Sequence, residues 1–90
     1  MNISISALEK KVKALAAELA NNGCQIEEVE AVRMGSFGPS YVELRLTNSA
    51  GYWVSLNILA NGYGATSKRH ISTSNGWRDA KSKIKSIVNS

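Results

Sequence analysis

The sequence predicts an α+β domain of two layers: one antiparallel sheet of three to four strands, with an N-terminal and a C-terminal helix on one face, in the order α-β-β-β-β-α. Apolar residues recur at helical spacing at both ends of the chain, they alternate with a period of two between those ends, and the breaks fall at turn-forming Asn, Gly and Pro. With 90 residues, 43% of them hydrophobic, there is material for one core, so residues 1–90 are read as a single domain.

Ile5, Leu8, Val12, Leu15 and Leu19 are spaced to share one face of a first helix, with Lys10, Lys11, Lys13 and Glu18 turned away. Ser6 and Glu9 fit a capping box at its start, and Asn21-Asn22-Gly23 supplies the stop. Cys24 to Met34 is rich in Val, Ile and Glu and predicts a strand; one explanation for its imperfect alternation is a bulge near Glu30–Val32. "GSFGPS" connects it to the cleanest strand, in which Val42, Leu44 and Leu46 face one way and Tyr41, Glu43, Arg45 and Thr47 the other.

"NSAG" then turns the chain into a strand over Tyr52–Ala60. Facing both apolar sets inward predicts Leu44 opposite Val54 and Val42 opposite Leu56, which puts Arg45 beside Trp53 and Tyr41 beside Asn57. Asn61-Gly62 is a preferred tight-turn dipeptide and predicts a second hairpin into an edge strand over Tyr63–Ile71, with Ala65 paired to Ile58 and Thr66, Lys68 and His70 outward. "STSN" is expected to cap a last helix that buries Trp77, Ala80, Ile84 and Ile87 or Val88 and presents Arg78, Lys81 and Lys85.

The single Cys24 excludes an internal disulfide and a cysteine-cluster metal site, and a lone histidine, His70, excludes a two-histidine site within one chain. No metal or cofactor is expected. The N-terminus lacks signal-peptide organisation and no run is apolar enough to span a membrane, so the chain reads as cytoplasmic, without a membrane partner. The lysines and arginines number 11 against 7 acids, and they concentrate in the C-terminal half. That balance favours an anionic partner.

No catalytic constellation emerges. His70 stands beside Lys68 and Arg69 with no nucleophile or orienting carboxylate. Glu27, Glu28 and Glu30 form the only carboxylate cluster, in which Glu28 and Glu30 could share a face. The expected function is therefore binding, not enzymatic. The uncovered sheet face would gather Tyr41, Arg45, Trp53, Asn57, Lys68 and His70 as protein-binding residues, unless the "GSFGPSY" loop covers Trp53. The alternative is nucleic-acid binding through Lys68, Arg69, Arg78, Lys81 and Lys85. A homodimer also stays open.

Two resemblances sharpen these expectations. The helix–strands–helix order, Gly38-Pro39 ahead of a strand and the terminal "DAKSKIK" resemble the double-stranded RNA-binding domain, which implies RNA contacts. Here Ser40-Tyr41 follows the Gly-Pro where that family places a histidine, and the lysines fall mid-helix at Lys81, Lys83 and Lys85. In size and architecture the chain is also similar to small phage-encoded inhibitors of bacterial defence, the anti-CRISPR proteins among them. That resemblance implies an inhibitor that occludes a functional surface of a host protein complex.

Overall fold

The computed structural model describes residues 3–60 and 69–89. The elements run α1 (Ile5–Asn21), β1 (Gln25–Val32), a short 3-10 turn (Gly35–Phe37), β2 (Tyr41–Thr47), β3 (Trp53–Leu59), β4 (His70–Ser72) and α2 (Trp77–Val88). The strands form one sheet in the order β1-β2-β3-β4. No described helix is long and apolar enough to cross a membrane.

Both helices pack on one sheet face. Leu8, Val12, Leu15 and Leu19 of α1 and Ala80, Ile84 and Val88 of α2 join Val42, Leu44, Leu46, Leu56, Ile58 and Ile71 in a single buried cluster. Burying side chains of this size contributes roughly 1.5–3 kcal/mol each relative to leaving them in water, which is why period-two and helical spacings select the same interior.

Several local expectations are corrected. The N-cap of α1 is Ser4, whose Oγ accepts from the Ala7 amide at 3.1 Å, and not Ser6. Starting earlier brings Ile5 into the helix, where it packs against the core together with Ile3. Ser6 instead receives a hydrogen bond from Arg33. The stop holds: Asn22 caps α1, and Gly23 turns the chain at φ 98° with its Cα facing Ser49.

The β1 bulge lies at Glu27, between the Ile26–Leu46 and Glu28–Arg45 pairs, and not near Glu30–Val32. Placing the extra residue there keeps Ile26, Val29 and Ala31 against the core while Glu28 and Glu30 take the other face.

The β2–β3 hairpin keeps its predicted faces but slips by two residues: Leu44 pairs with Leu56, Val42 with Ile58, Arg45 with Ser55 and Thr47 with Trp53. Asn48 organises the connecting turn. Its amide donates to the Tyr52 carbonyl, and its Oδ1 accepts from the amides of Ala50 (3.0 Å) and Tyr52 (2.9 Å). Its Nδ2 then donates to the Val88 carbonyl at 2.9 Å, closing the C-terminal turn of α2 from a buried position.

The largest correction concerns β4. It runs parallel to β3, with Asn57–His70, Ile58–Ile71 and Leu59–Ser72 as its pairs, so the sheet is mixed and His70–Ser72 is not part of an antiparallel edge strand. Ile58 faces Ile71 in place of Ala65. The Asn61-Gly62 dipeptide, Tyr63, Ala65, Thr66 and Lys68 lie outside the described residues.

The "STSN" segment does not cap α2. Thr73 Oγ1 donates to the Leu59 carbonyl at 2.7 Å, Ser72 Oγ accepts from the Ser74 amide, and the N-cap is Gly76 at φ 95°. The Thr73 hydroxyl fastens the end of β4 to β3. The inward face of α2 is as expected, with Trp77 and Ile87 packed at its margin.

Candidate binding surface

Cross-strand pairing fixes the layout of the open sheet face row by row. At one end Val32, Tyr41, Leu59 and Ser72 lie abreast; next come Glu30, Glu43, Asn57 and His70; then Glu28, Arg45 and Ser55; and at the hairpin end Gln25, Thr47 and Trp53. Of the predicted set, Tyr41, Asn57 and His70 therefore come together. Arg45 and Trp53 are separate from them and from each other, and Lys68 lies outside the described residues.

At the first end the 3-10 turn and its flanks rise beside the sheet. Met34, Phe37, Gly38, Pro39, Tyr41, Asn57, Leu59 and His70 line a hollow of about 320 Å³. Phe37 is 91% exposed, and Asn57 Oδ1 is buried with no hydrogen-bond partner among the described residues. The "GSFGPSY" loop thus borders Tyr41 and His70 and leaves Trp53 uncovered. The Trp53 side is 62% exposed, and Tyr52 beside it 69%. A second hollow, lined by Trp53, Val54, Ser55, Leu56, Arg69 and Ile87, opens at the same end.

The middle of the face is ionic. Arg45 pairs with Glu28 through Nη2, and its Nε lies 3.5 Å from Glu43 Oε1, an ion contact without hydrogen-bond geometry. Glu28, Glu30 and Glu43 bring carboxylate oxygens within 4.8 Å of one another, while Glu27 accepts a hydrogen bond from Thr47. Arg45 meets Glu28 across the β1–β2 pair, and the slipped β2–β3 register puts Ser55, not Trp53, opposite it on the other side. The surface is consequently acidic, with Glu28, Glu30 and Glu43 against Arg45 in the described rows of the face.

The cations are elsewhere. The helices carry seven of them (Lys10, Lys11, Lys13, Arg78, Lys81, Lys83, Lys85) and three acids (Glu9, Glu18, Asp79), so the chain's net charge of +4 resides in the helical layer. Two of the predicted phosphate contacts are already engaged: Lys85 Nζ lies 2.8 Å from Glu18 Oε1, and Lys81 Nζ 3.5 Å from Glu18 Oε2. The hydrogen bond from Lys85, with the charges of both lysines behind it, holds the Glu18 carboxyl below its ordinary value against an opposing effect of desolvation. Arg78 and Arg69 are exposed. The Arg69 carbonyl accepts the Asn57 amide in the β3–β4 ladder.

Sequence reasoning overlooked the acidic character of the open face and the hollow beside Tyr41. Pairing Glu28 and Glu30 of β1 with Arg45 and Glu43 of β2 would have revealed the first. No family model matches this chain, and comparison with curated proteins and with solved structures likewise finds no match.

Proposed function

We propose that the chain is a non-enzymatic binding module that engages a protein partner through its open sheet face. Trp53 carries this reading: a large indole, 62% exposed, stands at the end of a sheet face that neither helix covers. Exposed aromatics beside a polar rim are the usual anchors of protein interfaces, and Tyr52, Tyr41 and Phe37 extend the apolar contact toward both ends of the face. In its narrower form the proposal is an inhibitor, of phage or mobile-element origin, that covers a functional surface of a host complex. Single-domain size and one open contact face support that form. Nucleic-acid binding is the less supported reading, because Lys81 and Lys85 are both paired with Glu18 and the open face is acidic.

The test is capture of partners from bacterial lysate by the tagged protein, with and without nuclease, beside a Trp53→Ala variant. A stoichiometric protein is expected to survive nuclease and to be lost from the variant, since truncating an anchor of this kind costs about 2 kcal/mol or more of binding. The variant's own stability should move by less than about 0.5 kcal/mol, as for other exposed sites. Loss of every protein after nuclease, or full retention by Trp53→Ala, would overturn the proposal.

A further inference from the structure

Glu30 and Glu43 stand directly opposite each other on β1 and β2. Like charges in that position oppose folding. Arg45 turns to Glu28 and Glu43, which leaves Glu30 with no ion-pair partner among the described residues. In the same row the buried Asn57 Oδ1 accepts no hydrogen bond among the described residues. Arg45 is shared between Glu28 and Glu43, and His70 stands at the far side of Asn57; among the described residues Glu30 and Asn57 Oδ1 can still accept from a further cation, and the groups on either side limit what can bring one.

Resting on the reading of the open face as a protein-binding surface, we infer that the partner presents a cationic, arginine- or lysine-bearing extended segment, seated along β2 with its charge over Glu30, Glu43 and Asn57. Charge complementarity selects the segment. A guanidinium offers several donors in one plane and can serve a carboxylate and an amide oxygen together. The hollow bounded by Met34, Phe37, Pro39 and Tyr41 receives an apolar side chain on one side of that contact. On the other side, Glu43 and Thr47 are about 13 Å apart along an extended strand, so a second cation a few residues away in the segment reaches the face of Trp53, which pairs with Thr47. A nucleic acid would bring phosphates against the same carboxylates.

The site makes a prediction of opposite signs. Glu30→Gln removes a repulsion, so the melting temperature should hold or rise, whereas a site serving only the fold would be weakened by its loss. For binding, the probe is a fluorescein-labelled oligoarginine peptide, followed by anisotropy beside an oligoglutamate peptide and a single-stranded oligonucleotide of equal length. The wild-type protein should bind oligoarginine alone, and Glu30→Gln with Glu43→Gln should weaken that binding roughly tenfold. Lys81→Gln with Lys85→Gln should leave it intact.

Oligoarginine binding that ignores the glutamate substitutions, or none at all, would overturn the inference. So would a lysate partner lost from Trp53→Ala but held fully by Glu30→Gln with Glu43→Gln, in which case the protein-binding reading itself survives. Tighter binding of the oligonucleotide than of oligoarginine would overturn both.

Discussion

Leu44 and Glu43 are neighbours on β2, yet Leu44 is fully buried beneath the helices while Glu43 stands on the open face between Glu30 and Asn57. The same contrast runs through the sheet. The covered face is uniformly apolar and merges into one cluster with α1 and α2; the open face is sorted by row into an apolar hollow, an acidic band and an aromatic end. A single step along a strand therefore separates what holds the fold together from what is available for recognition. The open face tolerates an opposed Glu30–Glu43 pair because the stability of the domain is supplied from the other side.

That separation can be broken or sharpened experimentally. The largest effect is expected on the covered face: Leu44→Ala should destabilise the domain by about 3 kcal/mol, as for other large-to-small changes at fully buried sites. Glu43→Gln, one residue away, should change stability by less than about 1 kcal/mol. Chemical denaturation of both variants checks the pair, and comparable losses would show that the faces are not independent.

Asn48 comes next. Removing its buried bond to the Val88 carbonyl, together with the two turn bonds to Oδ1, should make Asn48→Ala less stable by about 2 kcal/mol. If the slipped register depends on this side chain, the variant's spectrum should also show altered amide shifts along β2 and β3. Unchanged strand shifts would assign the register to the core alone.

The smallest effect is electrostatic and belongs to neither sheet face. Because the folded state lowers the Glu18 pKa, the Glu18–Lys85 contact contributes stability above the unfolded pKa and loses it as pH falls through the lowered folded value. Glu18→Gln should therefore melt slightly below the wild-type protein near neutral pH, and the two should converge in acid. A gap that is constant with pH would remove the ion pair from the account. Added salt should narrow the gap at neutral pH, since both partners are partly exposed.

Much of the covered face was legible in the sequence, because burial imposes a period and Leu44, Leu56 or Ile84 could satisfy it in only one way. Register was not. A two-residue slip leaves every side chain on its original face, so alternation is silent about whether Arg45 meets Trp53 or Ser55. The direction of β4 was missed for a related reason: Asn61-Gly62 favours a tight turn locally, while Ile71 can fill the same core position from a parallel strand. The acidic open face was hidden by summing charge along the chain. Glu28 and Glu30 lie far from Glu43 in sequence and become one group only when β1 is laid against β2.

The hairpin turn that Asn48 organises has one more role. The C-terminus of α1 arrives there, where Gly23 abuts Ser49, and so does the C-terminus of α2, through Val88; the helices thus run in the same direction. Each contributes about half a negative charge from its terminal carbonyls. Their dipoles add where opposed helices would cancel. Trp53 follows that turn directly, so the negative ends of both helix dipoles lie at the same end of the sheet as the indole.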